Sequence, residues 1–190
     1  MAEIHPLLRA RRSSLLYDPD RPVGPDLIES LLEAARWAPS SGNGQPWHYL
    51  VFDDRVSEAR QIARGCLNED NQAWASAAPV LIAAVSQDLR ANGRPNAKAQ
   101  HDLGLANMCL LLQATALGLN CRPMGGFDAA KLRELFRLPE GHTPTAVIAV
   151  GFPGLPDHAS EALLVKEASA RGRKPIEELA HLGGWGQPLR

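Results

Sequence analysis

The stretch ARWAPSSGNGQPWHYLVF, residues 35–52, changes character twice. Upstream, Pro25 suits a first helical position, and Leu27, Ile28, Leu31, Leu32 and Ala35 recur at helical spacing. A helix is therefore expected over 25–38, stopped by Pro39. Ser40 to Pro46 then holds small polar residues, Gly, Gln and Pro, the residues of turns. Trp47 to Phe52 returns as an aromatic and β-branched run that reads as a strand. Helix, punctuated loop and strand in one pass require a chain that mixes α and β.

The flanking sequence extends this pattern. Pro6 to Arg12 reads as a short helix, and Pro79 to Val85 (PVLIAAV) as a second strand. Asp102 is placed to cap a long apolar helix ending at Gly118, and Asp128 to cap another over Ala129 to Phe136. Thr145 to Val150 is a further strand, closed by Gly151-Phe152-Pro153. The tail carries a short helix over Pro175 to His181, then Gly183-Gly184-Trp185-Gly186, which cannot form a core of its own. Helices come first, then strands separated by helices of unequal length. That order predicts an α+β fold, a mixed α/β sandwich rather than a strict βαβ ladder. No repeat or linker divides residues 1–190, so one domain is expected.

Composition narrows the function classes. The chain has 190 residues, with Lys+Arg 20 against Asp+Glu 21 and a formal net charge of −1. That balance argues against a nucleic-acid or polybasic membrane binder. Leu103 to Leu119 contains Asn107, Gln113 and Thr115 and reads as a buried helix, not a membrane span. No charged and apolar leader opens the chain, and Cys66, Cys109 and Cys121 form no CxxC pair. Reduced thiols and a cytoplasmic setting are expected. The six His are scattered without HxxxH or HExxH spacing, so no metal is expected. The cations are biased, with 16 Arg against four Lys.

Three clusters could carry chemistry. Arg11-Arg12-Ser13 offers two guanidinium groups and a hydroxyl, which suit a phosphate monoester and equally suit a solvated basic turn. Pro39 to Trp47 could hydrogen-bond the edge of a planar heterocycle, though on composition alone an ordinary turn accounts for it. Pro123-Met124-Gly125-Gly126-Phe127-Asp128 lets the backbone approach a ligand closely ahead of a helix, or is simply a capped loop. Arg171-Gly172-Arg173-Lys174 forms a second basic knot. Neither GxGxxG after a strand nor GxxxxGK[ST] is present.

Taken in order, RRSSLLY (11–17), ARWAPSSGNGQPWHYLV (35–51), AAPVLIAAV (77–85), HDLGLANMCLLLQATALGL (101–119), CRPMGGFD (121–128), VIAVGFP (147–153) and RGRKPIEEL (171–179) resemble the nitroreductase family of flavin oxidoreductases. The likeness runs from about Ile4 to Leu179, and the APSSxNxQPW block is its most diagnostic part.

The resemblance implies a mostly antiparallel central sheet flanked by helices, in an intertwined homodimer with FMN at the subunit interface. The tail, about 171–190, would pack on the partner. Arg11, Arg12 and Ser13 would hold the phosphate, joined by Arg171 and Arg173. Pro39, Ser40, Ser41 and Asn43 would line the flavin from the partner subunit. Asn71 would contact the ring edge. Gly125 and Gly126 would present backbone N–H to N5. No side chain is assigned as catalytic acid or base, and His101 and His142 read as structural.

The implied activity is hydride transfer from NADH or NADPH, through flavin N5, to nitroaromatics, quinones or other small electron-poor acceptors in ping-pong order. A flavin-handling protein without NAD(P)H turnover, or flavin fragmentation or reductive dehalogenation on the same scaffold, are the alternatives. The sequence departs from the family at Leu15, where many relatives carry a basic residue, and at Gly125, where some carry Glu. The connection 86–100 is short, implying a more open pocket. Arg90, Arg94 and Arg122 are candidate rim residues for the nicotinamide donor.

Overall fold

A computed structural model of the chain describes residues 3–155 and 159–189. Met1, Ala2 and Arg190, the extremes of the expectations for leader and tail, lie outside the described residues. The chain runs α1 (Pro6–Ala10), α2 (Pro25–Arg36), β1 (Trp47–Phe52), α3 (Ser57–Arg64), α4 (Glu69–Ala75), β2 (Val80–Gln87), α5 (Ala99–Ala116), β3 (Asn120–Met124), α6 (Ala129–Leu135), β4 (His142–Gly151) and α7 (Glu161–Ala168). The four strands form one sheet in the order β1-β2-β4-β3. Every pairing in it is antiparallel. The fold is α+β, as the element order predicts.

Strand alternation explains the layers. On β2, Val80, Ile82 and Ala84 face one core, which Ile148 and Val150 of β4 join. Ile28, Leu31 and Ala35 of α2 close that side together with Leu103, Ala106, Leu110 and Ala114 of α5. The intervening Leu81 and Ala83, with Val147 and Ala149, face the opposite core, closed by Ala63 of α3, Trp74 of α4 and Leu132 of α6. A sheet covered on both faces is why 80–85 reads as an unbroken apolar run.

Several elements differ from the sequence expectation. The segment 120–124 is an edge strand rather than a loop, and among the described residues its only ladder is with β4. Pro123 has no N–H to donate, which an edge position tolerates. The helices α3, α4 and α7 were not anticipated; α7 buries no residue and α3 only Ala63, so neither shows a wide apolar stripe. Over 175–181 only a single 3-10 turn forms, at Ile176–Glu178. Asp128 caps α6 by accepting from the Lys131 N–H at 2.9 Å. Asp102 does not cap α5: Lys98 occupies that position and Asp102 lies in the first turn, freeing its carboxylate for another contact.

Candidate functional site

The two basic knots meet. Arg11, Arg12 and Ser13, in the extended segment behind α1, share a cavity of about 240 Å³ with Arg171 and Arg173. Arg171 fixes the meeting by donating Nη1 to the Arg11 carbonyl at 2.6 Å and Nη2 to the Arg9 carbonyl at 2.8 Å. Glu167 of α7 adds a second clasp. Its Oε2 accepts the Leu15 N–H at 2.7 Å, while Oε1 accepts the Ser14 hydroxyl at 2.9 Å and pairs with Arg12 at 3.0 Å.

Two cations of this cavity were not assigned to it from sequence, Arg122 and Lys166. Arg122 donates to the Ser13 carbonyl at 2.7 Å, and its guanidinium lies 5.2 Å from the Trp74 ring. It is therefore part of the basic cavity, not of a separate rim. The available signal was alternation: positions 122 and 124 share a strand face, and Met124 is in the core beside Trp74. Leu15 is buried and lines the same cavity.

Among the described lining residues, six cations face one acid, Glu167. Burial, then the charges of Arg171 and Arg173, hold the Arg11 guanidinium below its usual value. An anion entering the cavity would relieve this repulsion.

The second group is built on Gly126. Asn68 caps α4 by accepting the Asn71 N–H at 3.0 Å, and its own N–H donates to the Gly126 carbonyl at 3.0 Å. Asn71 donates its side-chain amide to the same carbonyl at 3.0 Å. A bridge between Leu67 and Phe127, and donation from Asp128 N–H to the Cys66 carbonyl at 2.8 Å, zip the two segments. A Cβ on Gly126 would lie 2.5 Å from Asn68 Nδ2 and 2.9 Å from Asn71 Nδ2, so a side chain there would have to displace both amides. At Gly125 a Cβ would meet nothing within 4 Å. Among the described residues, no backbone acceptor takes the Gly126 N–H.

Of the third group, Pro39 to Asn43, Ser41 and Gly42 line a different cavity in the single chain, while Pro39, Ser40 and Asn43 are not among its described lining residues. Pro39, Ser41 and Asn43 are exposed and Ser40 half-buried. The loop is held in left-handed backbone at Gly42 (φ 60), Asn43 (φ 55) and Gln45 (φ 46). A glutamine there carries a conformational cost that surrounding contacts must offset. Asp102 supplies one of them: its buried Oδ2 accepts the Ser41 N–H at 2.9 Å while Oδ1 meets His101 Nδ1 at 2.9 Å. Burial pushes the Asp102 carboxyl up, but the hydrogen bonds from His101 and Ser41 outweigh it and hold it below the usual carboxylate value. Sequence reading missed this role because the residue also fitted a helix cap.

His142 makes an edge contact with His48, their centroids 5.1 Å apart, and meets the Glu140 carbonyl at 3.1 Å. Among the described residues, no group of His, Cys, Asp and Glu could hold a metal, and no helix is long and apolar enough to cross a membrane.

The sequence profile of the nitroreductase family matches residues 8–152. The chain belongs to the nitroreductase family. An Archaeoglobus fulgidus protein whose name pairs NADH dehydrogenase with NAD(P)H nitroreductase is 33% identical over 162 residues, which cover 80% of this chain and 87% of that one. A Thermus thermophilus protein named NADH dehydrogenase is 31% identical, with 78% and 87% covered. Among solved structures, an oxidoreductase described as containing FMN superposes with a TM-score of 0.90 at 29% identity, covering 98% of this nitroreductase-family chain and 94% of that one. A Desulfovibrio desulfuricans protein described as a nitroreductase in complex with FMN gives 0.75 at 26% identity, with 96% and 99% covered.

Proposed function

We propose that this chain is an FMN-dependent oxidoreductase. It takes hydride from NADH or NADPH and delivers it to nitroaromatics, quinones or other small electron-poor acceptors, one substrate leaving before the next binds. The observation that carries the proposal is the cavity in which six cations face one acid, in a chain whose FMN-containing relative superposes over nearly its whole length. FMN fits this donor set: its phosphate monoester is the dianion that clustered guanidinium groups hold best.

When bound, FMN supplies the two-electron chemistry at N5. The chain supplies position and charge. Arg11, Arg12, Ser13, Arg171 and Arg173 hold the phosphate, and Arg122 adds the cation that Leu15 does not provide. Glu167 orients Arg12 and fixes the backbone at Leu15. Asn71 and Gly125 border the ring, and Asn71 fixes the Gly126 peptide so that its N–H presents a donor to the reacting nitrogen.

Pro39, Ser40, Ser41 and Asn43 complete the site from the partner of a homodimer, a reading supported by the exposure of Pro39, Ser41 and Asn43 in the single chain. Leu179, Leu182 and Trp185 of the tail are exposed as well, Trp185 by 92%. Apolar surface on this scale belongs against a second copy. Residues 1–190 act as one domain, and the free thiols Cys66, Cys109 and Cys121 suit the cytoplasm.

Steady-state kinetics with NADPH and a quinone test the proposal. Parallel double-reciprocal lines are expected from FMN-loaded protein. A colourless protein that stays flavin-free after incubation with FMN contradicts it.

A further inference from the structure

The connection between β2 and α5 folds into a small hairpin. The Arg90 N–H donates to the Arg94 carbonyl at 2.8 Å, the Gly93 N–H returns to the Arg90 carbonyl at 2.8 Å, and Leu89 bridges to Pro95. Asp88 roots the hairpin. Its carboxylate accepts the Ser86 hydroxyl at 2.6 Å and the Thr143 hydroxyl at 2.5 Å, and its N–H donates to the Gly141 carbonyl at 2.7 Å. That carboxylate is thus committed to two hydroxyls and leaves the cations of the hairpin uncompensated. Among the described residues neither Arg90 nor Arg94 has an ion-pair partner.

Arg90, with Gln87 and Asn96, faces Ser41 and Gly44 across a cavity of about 300 Å³. Among the described residues, no acidic one lines it. We infer that this cavity takes the phosphate-bearing part of the nicotinamide donor, with Arg90 as its anion contact. The inference rests on the function proposed above. The volume suits one nucleotide half, at the lower end of small-molecule pockets. A guanidinium grips phosphate in bidentate fashion, and the Gln87 and Asn96 amides can serve ribose and base. Ser41 belongs both to this cavity and to the loop assigned to the flavin, so a donor seated here lies beside the group it reduces. Among the described residues, the six-cation cavity shares no lining residue with it and is assigned to the FMN phosphate.

The test compares FMN-loaded wild type with Arg90→Ala and, as a control at an exposed arginine that lines neither cavity, Arg64→Ala. Loss of one charge-assisted contact should raise KM for NADPH about tenfold or more with kcat within about twofold. Adenosine 2′,5′-bisphosphate, titrated by calorimetry, should lose affinity by a similar factor, while FMN affinity stays at the wild-type value. Arg64→Ala should match wild type in all three. A matched rise for NADH assigns Arg90 to the shared diphosphate, and a rise for NADPH alone assigns it to the 2′-phosphate; either supports the inference. Unchanged KM for both donors together with unchanged calorimetric binding overturns it. Failure of wild type itself to be reduced by either donor overturns the proposed function instead, and is read before Arg90 is touched.

Discussion

The side-chain amide of Asn71 donates to the carbonyl oxygen of Gly126 at 3.0 Å, joining two residues 55 positions apart in sequence. A side chain at 126 would have to displace Asn68 and Asn71. Gly126→Ala should therefore lower stability by about 1–3 kcal/mol, the usual cost of overpacking. Gly125→Ala, which meets open space, should stay within about 0.5 kcal/mol of wild type. Urea unfolding of the flavin-free protein measures both, and equal effects at the two positions would contradict the assignment of Asn71 as the Gly126 anchor.

Arg11 illustrates a site arranged for its ligand at the expense of the empty chain. Arg11→Ala removes a charge that burial and the charges of Arg171 and Arg173 disfavour. The unfolding midpoint of the flavin-free variant should hold or rise. FMN affinity should fall by about 1.5–3 kcal/mol, the worth of a hydrogen bond to a charged group. Arg173→Ala should weaken FMN retention in the same range. Fluorescence titration of FMN checks these values, and unchanged affinity in both variants would mean that the knots are merely solvated.

Asp102 gives a prediction with a pH sign. Its carboxyl is held below the usual value, so its stabilising contribution is present above the ordinary Asp range near ~3.9 and is lost as pH falls through the lower folded value. Asp102→Asn should cost about 1.5–3 kcal/mol at neutral pH, a difference that shrinks as pH falls below ~4. Urea unfolding across that range checks it; a difference that persists undiminished in acid would show that the charge is not what holds Ser41.

The exposed tail predicts a dimer. Light scattering of FMN-loaded protein should give twice the chain mass, and Trp185→Ala should raise the dimer Kd about tenfold or more, as loss of a buried aromatic anchor does. A monomeric mass would contradict the dimer and the shared flavin site together.

Much of the fold was legible because it rests on period. The unbroken apolar run over 80–85 and the helical spacing over 25–36 each record which faces are covered, and β1 falls on Trp47–Phe52 as expected. The strand holding Arg122 was hidden because Pro and Gly dominate its surroundings, and an edge strand needs few strand-forming residues. The helix α7 was hidden because it buries nothing in the single chain. At the site, the basic knots were visible as composition, but Arg122, Lys166 and Glu167 reach the cavity by tertiary placement. The Asp102–Ser41 bond spans 61 positions and leaves no local trace.

The most direct test of the account is stopped-flow mixing of the FMN-loaded protein with NADPH or NADH under anaerobic conditions. The account predicts that the flavin's visible absorbance bleaches with one equivalent of donor and returns on mixing with a quinone. A bound flavin that neither donor bleaches would contradict it.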